Sequence, residues 1–355
     1  MKTADFDYDL PPELIAQTPI EPRSASRLMV AHRSTGEISH RRFGDLLEFL
    51  RPGDLLVHNE SRVIPARLFA RKATGGQVEI LLLRQRADRV WETLVKGKRV
   101  RGGARLALLD GPAGAPNGAE AEVVEAGERG MRVLSFDRPV LELAERVGVT
   151  PLPPYIHTPL AKPERYQTVY ARTPGSAAAP TAGMHFTPEL LLRLREEGIG
   201  SAFVTLHIGL DTFRPVGEER VEDHQMHTEH CWLTPAVARQ INQVRLAGGR
   251  VVAVGTTSVR VLETAARAAA DGAVDAESCP LQTVRAFEGA TDLFIYPGYR
   301  FRVVDVLITN FHLPRSTLLM LVSAFAGREL IRRAYAEAIR ERYRFYSFGD
   351  AMLIL

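Results

Sequence analysis

The chain has 355 residues, 45% hydrophobic and 25% charged, with a net charge of +3. That is more chain than one ordinary domain needs, and the composition of a globular protein with a real core, which excludes a disordered or fibrous class. Its best apolar run, 318–327 (LLMLVSAFAG), is about half the length of a membrane span, so no membrane association is expected.

The N-terminus, MKTADFDYDLPPELIAQ, carries acids where a signal peptide has its apolar core. The two cysteines, Cys231 and Cys279, form neither a metal-type pair nor a disulfide framework. Both features fit a reducing, cytoplasmic setting.

Residues 5–30 (DFDYDLPPELIAQTPIEPRSASRLMV) read as a helical pattern with a proline-rich exit. From 53 to 136 short strands follow one another: GDLLVHN, VIPARLFAR, QVEILLLR, VWETLVKG, ARLALLD, AEAEVVEAG and GMRVLSF. Many short strands with little helix suggest a small barrel or sandwich, with DGPAGAPNGAE (110–120) as a long loop inside it.

This segment is also where the charge is concentrated. Residues 60–105 hold Arg62, Arg67, Arg71, Lys72, Arg84, Arg86, Arg89, Lys96, Lys98, Arg99, Arg101 and Arg105 against Glu60, Glu79, Asp88 and Glu92. A basic stretch in a near-neutral protein suggests a polyanion such as RNA, and a solvated Arg-rich surface is the alternative.

After about 138 the pattern changes. PVLELAERVG reads as a helix and PLPPYIHTPL as a rigid linker. Strands SAFVTLHIGL, RVVAVG and RVVDVLITNF then alternate with helices at 234–249, 257–272 and 327–345. Thr234, Pro235 and Gly248 mark the start and stop of the first of these helices. Alternation of this kind argues for a mixed sheet covered by helices. The expected fold is therefore α/β: a discontinuous domain of 1–66 and 150–355, with a small β-barrel inserted at 67–149.

Several places could carry chemistry. PGSAAAPTAGMHFTPELL (174–191) strips its side chains around His185, just before a helix start marked by Thr187, Pro188 and Glu189. Free N–H groups there favour an electron-rich ligand, and a His at that positive end tends to stay neutral. A tightly packed loop with a structural histidine is the plain alternative.

VTLHIGLDTF puts His207 and Asp211 at a strand exit, where ligand crevices form. EDHQMHTEHCWL holds His224, His227, His230 and Cys231, but nothing in the pattern gathers them, so no metal is expected and a His227–Glu229 pair is the better reading. GTTS after RVVAV places Thr256, Thr257 and then Arg260 at a strand-to-helix turn; a cation in a first turn suggests a carboxylate clamp. The turn matches neither GxGxxG nor a P-loop. Asn310, His312, Arg315 and Thr317 follow a buried strand, and Tyr296 and Tyr299 flank Pro297-Gly298 like two aromatic platforms. Asn59, Glu60 and Arg62 stand where the insert begins.

Taken together, AAPTAGMHF, GTTSVR and NFHLPRS, with DFDYDLPPELIAQTPIEPRSASRLMV, GDLLVHNESRVIPARL, RYQTVYA, VTLHIGLDTFRPV, HQMHTEHC, TDLFIYPGYRFRVVDVLIT and RYRFYSFGDAMLIL, resemble one family from end to end. It is the S-adenosylmethionine:tRNA ribosyltransferase-isomerase family of queuosine biosynthesis. His230 and Cys231 depart from the pattern, where an aromatic or apolar residue is expected, and the GAPNGAE loop is locally elaborated.

The resemblance implies transfer and isomerisation of the ribosyl group of S-adenosylmethionine onto 7-aminomethyl-7-deazaguanine at the tRNA wobble position. Epoxyqueuosine-tRNA forms, and adenine and methionine leave. It implies no cofactor beyond S-adenosylmethionine, and a monomer is expected. His185 or His207 would be the base, with Glu60, Asp211 and Glu229 as further acid–base candidates. Thr256, Thr257 and Arg260 would grip the carboxylate or ribose. Asn59, Arg62, Thr181, Gly183, His227, Tyr296, Tyr299, Asn310, His312, Arg315 and Thr317 would complete the substrate site. Lys96, Lys98, Arg99 and Arg101 would meet the tRNA. Two rivals stand beside this reading: an S-adenosylmethionine-dependent RNA methyltransferase and a non-catalytic RNA-binding protein.

Overall fold

The computed structural model describes residues 1–128, 130–209, 215–271 and 282–355. The N-terminal segment is not the helix its pattern suggests. It forms three isolated 3-10 turns, Thr3–Phe6, Pro12–Leu14 and Arg23–Ala25. Pro11, Pro12, Pro19 and Pro22 remove donors and block the i−4 ladder, so only single turns survive. Strands β1 (Arg27–Ala31) and β2 (Ile38–Arg42), a 3-10 segment Phe43–Glu48 and β3 (Leu55–Asn59) follow.

The run expected as one strand over 63–71 is broken at Pro65 into β4 (Ser61–Val63) and β5 (Arg67–Lys72), because proline cannot donate to a ladder. Strands β6 (Gln77–Ala87), β7 (Val90–Lys96), β8 (Arg105–Leu109), β9 (Pro116–Ala126) and β10 (Met131–Phe136) come next, then α1 (Val140–Val147). β9 takes in the second half of the stretch read as a loop over 110–120.

The remainder runs β11 (Thr173–Ser176), a 3-10 turn Thr181–His185, α2 (Pro188–Glu196), β12 (Gly200–Leu206), β13 (Glu229–Leu233), α3 (Pro235–Leu246), β14 (Val251–Val254), α4 (Thr256–Asp271), β15 (Phe287–Thr291), β16 (Val306–Asn310), α5 (Thr317–Ala326), α6 (Arg328–Arg340) and β17 (Ala351–Ile354). Thr187, Thr234 and Ser316 cap α2, α3 and α5, each side-chain oxygen accepting from the N–H three residues on.

The chain divides into two units: 1–61 with 153–172 and 180–355, and 62–152 with 173–179. Thr173–Ala179, the small-residue run before Pro180, thus groups with the strands of the insert, whereas the sequence division placed it in the larger body.

Among the described residues the first unit has a nine-stranded mixed sheet, ordered β15-β13-β12-β3-β14-β16-β17-β1-β2. β12, β3, β14 and β16 are mutually parallel. Every residue of β3, β14 and β16 is buried, as a sheet covered on both faces requires. On one face Phe43, Leu46, Phe186, Leu190 and Leu194 pack against Leu56, Val252, Val254, Ile308 and Leu353.

In the second unit β10, β7, β6, β5, β8 and β9 close into an antiparallel barrel. Closure leaves no open sheet edge, and Leu68, Ile80, Leu82, Trp91, Leu106, Leu108, Val123 and Leu134 are buried in this unit. The α/β body with a small barrel is the fold class expected from the sequence.

Candidate active site

Parallel strands send their C-terminal ends to the same edge of a sheet. β12, β3, β14 and β16 therefore deliver the residues after Leu206, Asn59, Val254 and Asn310 side by side. β17 runs antiparallel to β16, with Asn310 opposite Ala351, and β1 runs parallel to β17, with Leu28 opposite Ala351. The residues that precede β17 and β1, Asp350 and Ser26, join the same edge. Open α/β sheets bind ligands outside such an edge.

The Thr181–His185 turn packs against this edge. Gly255, at φ +88, makes the turn from β14 into α4, and its N–H donates to the Ile308 carbonyl at 2.8 Å. A Cβ on Gly255 would lie 3.5 Å from the Ala182 Cβ and 3.6 Å from Thr257 Oγ1. The PTAGMHF and GTTSVR stretches, some 70 residues apart in sequence, thus meet here.

The bare backbone at Gly183 has a partly internal explanation. A Cβ there would come within 2.0 Å of the Tyr170 hydroxyl and 2.9 Å of Thr168 Cγ2. The side-chain space at Gly183 is filled by Tyr170, so packing alone accounts for the missing Cβ.

His185 is buried. Its Nδ1 lies 2.8 Å from Ser26 Oγ, and its ring stacks on Phe43 at 5.0 Å. Burial pushes the imidazole pKa down to about 4; Asn310 opposes that as a hydrogen-bonding neighbour, while Arg23 and Arg344 add to it. Neither His185 Nε2 nor Asn310 Oδ1 has an aligned hydrogen-bond partner, and Thr257 Oγ1 is likewise buried and unpartnered. Orphaned polar atoms gathered at the C-terminal edge of a sheet mark a place where something else binds.

His207 lies just past the end of β12, beyond the strand expected to contain it. Its Nδ1 is 2.9 Å from Ser61 Oγ. Burial, then His230, lower its pKa to about 4, against the pull of Glu229. Glu229 accepts from the Gly209 N–H at 3.0 Å, pairs with His227 Nε2 at 3.3 Å and binds the Arg260 guanidinium. Burial disfavours its charge, but Arg260 and then His227 hold its carboxyl below the usual range. Glu60 is buried against Arg172 at 2.6 Å. Asp211 lies outside the described residues.

Other side chains expected to face the substrate are used internally. Arg260 sits in the second turn of α4, which begins at Thr256, and is buried. It donates to Glu229 and to the Leu293 and Thr291 carbonyls, so the proposed substrate clamp is closed on the protein itself. Asn59 is a clasp between β3 and β12: its Nδ2 donates to the Leu206 carbonyl and its Oδ1 accepts from the Leu206 and Ser61 N–H groups. Arg315 binds Asp7 and so ties down the N-terminal segment. The Tyr299 hydroxyl donates to Glu263 at 3.1 Å, and Tyr296 packs on Phe294 at 5.0 Å, so each tyrosine also has an internal packing role. His312 Nε2 is satisfied by Thr309 Oγ1 at 2.8 Å. Thr317 is the first residue of α5 and Thr256 the first of α4, both buried, and Thr181 opens the 3-10 turn. Arg62 belongs to the second unit.

The metal-like histidines are separated by strand geometry. In β13, Glu229, Cys231 and Leu233 are buried while His230 and Trp232 alternate with them. His224 meets Glu218 at 2.9 Å, and His227 meets Glu229. Among the described residues no group of three or more His, Cys, Asp and Glu converges.

On the barrel, Arg67, Arg84 and Arg86 are engaged by Glu79, Glu92 and Glu125. Lys96, Lys98, Arg99 and Arg101 are exposed on and after the end of β7.

Four residues of the site were not singled out from the sequence. Ser26 and Ser61 lie in two of the matching blocks, but nothing local marks either one, and each shows itself only by facing a histidine. His58 is fully buried on β3, its Nδ1 3.2 Å from the Tyr170 hydroxyl, and burial lowers its pKa to about 3. Tyr170, in turn, fills the space beside Gly183.

Residues 3–354 match the family described as queuosine biosynthesis protein. The chain belongs to that family. It is 59% identical, over the full length of both chains, to the S-adenosylmethionine:tRNA ribosyltransferase-isomerase of Symbiobacterium thermophilum. It is 57% identical over the full length of both to the protein of that name from Moorella thermoacetica. The crystal structure of S-adenosylmethionine tRNA ribosyltransferase from Thermotoga maritima superposes with a TM-score of 0.55 at 43% identity, covering 99% of this chain and 100% of that one. In this queuosine family member no helix among the described residues is long and apolar enough to cross a membrane.

The buried histidines make stability depend on pH in a defined direction. His58 and His312 fall to about 3, and His185 and His207 to about 4, all by burial first. The unfolded chain binds these protons near pH 6.5 and the folded chain does not, so stability is full above that value and falls as pH drops below it. Urea unfolding is expected to show a loss between about pH 6.5 and 5, before most carboxylates titrate, and His58→Leu is expected to flatten the slope. A stability independent of pH in that window contradicts the burial assignment.

Proposed function

We infer that the chain is an S-adenosylmethionine:tRNA ribosyltransferase-isomerase of queuosine biosynthesis. The observation that carries this is its full-length identity of 52–59% to several proteins of that name. The enzyme moves the ribosyl group of S-adenosylmethionine onto tRNA and isomerises it. We propose that the acceptor is 7-aminomethyl-7-deazaguanine at the wobble position, that the product is epoxyqueuosine-tRNA, and that adenine and methionine leave. A cytoplasmic monomer completes the proposal.

The sulfonium supplies its own stabilising charge, so the proton on the adjacent ribose carbon is acidified by the substrate. What the protein must add is a base that stays unprotonated, donors for the ribose and adenine, and exclusion of water. His207 and His185 are the candidates for the base, and both are held neutral at pH 7 by burial. His207 is favoured because the Glu229 carboxylate beside it stabilises the imidazolium that forms once the proton is taken. Thr257, Asn310 and His185 offer their unpartnered atoms to the substrate. The Arg260–Glu229–His227 cluster fixes the wall beside His207.

Adenine release from S-adenosylmethionine, assayed with tRNA carrying the modified base, tests the reading. His207→Ala is expected to lower kcat by about 100-fold or more, as loss of a general base does. Near-wild-type release in that variant would sink the base assignment. Release that does not depend on the modified tRNA, or a tRNA mass gain of a methyl group alone, would sink the ribosyl transfer.

The exposed Lys96, Lys98, Arg99 and Arg101 are proposed to hold the backbone of the single-stranded anticodon loop. Replacing all four with Ala is expected to weaken tRNA binding and to reduce its salt slope by about 0.7 for each phosphate no longer neutralised. An unchanged slope contradicts this role.

A further inference from the structure

The surroundings of His185 bear on which of its ring nitrogens carries the proton. Asn310 donates through Nδ2 to the Tyr346 carbonyl at 3.0 Å. A carbonyl accepts only from the NH2 group, so the amide orientation is determined and the other atom, Oδ1, is a pure acceptor. Oδ1 is buried without an aligned partner, as is His185 Nε2, and Asn310 is a hydrogen-bonding neighbour of that ring. If Nε2 were bare, two lone pairs would be buried in the same place with no proton to share. A proton on Nε2 removes that conflict. In a neutral ring Nδ1 is then an acceptor, and the Ser26 hydroxyl, 2.8 Å away and fully buried, is its donor.

The rest of the surroundings keeps the ring in that state. Phe43 stacks on it and fixes its plane. Arg23 and Arg344 oppose a second proton. Ser26 is itself immobilised, because its carbonyl accepts from the Phe43 N–H at 2.8 Å and the next residue, Arg27, donates its N–H to Asp350 at 2.9 Å.

We propose that Ser26 and Asn310 are positioning residues that hold His185 as its Nε2–H tautomer, so that this ring serves the reaction as a neutral hydrogen-bond donor and not as the base. The proposal rests on the active-site reading above and sharpens it. A neutral imidazole with a fixed N–H can hold an oxygen or nitrogen lone pair of the ribosyl or adenine group without transferring a proton. Since Asn310 Oδ1 is close to Nε2–H but not aligned to accept from it in the free protein, a bound substrate atom can take the bond at little cost to the fold. The work of proton abstraction then falls to His207.

The test is a long-range ¹H–¹⁵N correlation spectrum of the full chain labelled at its histidine rings, recorded near neutral pH without substrate. His185→Gln identifies the His185 signals by their disappearance. A protonated Nε2 and a bare Nδ1 are expected. A protonated Nδ1, or a doubly protonated ring, overturns the proposal. Ser26→Ala is expected to give a mixture of tautomers and Ser26→Thr to restore the single form; an unchanged spectrum in Ser26→Ala removes Ser26 from the mechanism. Should Ser26→Ala not fold, Asn310→Asp carries the same question: a carboxylate facing Nε2–H is expected to raise the pH at which the ring titrates, and no shift contradicts the contact. The spectrum is read without substrate, so it stands or falls separately from the adenine-release assay.

Discussion

The parallel alignment of β12, β3, β14 and β16 is the constraint on which the rest depends. Four short strands pointing the same way must all end at one edge, and each then needs a tight exit into the next element. Asn59-Glu60, His207, Gly255-Thr256-Thr257 and Asn310-His312 are those exits. Their polar character contrasts with the largely buried strands that lead to them, three of which are buried throughout. Interior polarity of that kind persists where it is either satisfied or used.

Both outcomes occur within a few residues of each other. Asn59, Arg260 and His312 are satisfied by the protein, and they lock strands, helix and loop in place. His185 Nε2, Asn310 Oδ1 and Thr257 Oγ1 are left over. The first group makes the edge rigid, and the second is what the proposed substrate would meet. Burial keeps the histidines neutral, which suits one ring to accept a proton and another to donate a hydrogen bond without losing one. The same burial makes the folded state less tolerant of acid.

The order of strands and helices is legible in the sequence wherever a whole element is apolar or clearly capped, as in VVAV and in the Thr234-Pro235 helix start. The N-terminal segment misleads because Phe6 and Leu14 imitate a helical spacing that its prolines forbid. β13 is hidden because its alternation is written in Glu229, Cys231 and Leu233, one of which is charged. The loops of the site are legible as motifs, since small residues and hydroxyls after strands are unusual. What each side chain does there is not. Ser26 lies 159 residues from His185, and Tyr170 lies 112 from His58, so neither pair leaves a local trace. Arg260 reads as a clamp for a substrate carboxylate because the sequence cannot show that Glu229 is already in its grip.

The central claim is that the substrate lies on the C-terminal edge of the parallel strands, within reach of the atoms left unpartnered there. A crystal structure of the protein with S-adenosylmethionine bound tests it most directly. The ligand is predicted to lie along that edge between His207 and His185, with the Arg260–Glu229 pair intact behind it. Density for the ligand away from that edge, or a substrate carboxylate displacing Glu229 from Arg260, would contradict it.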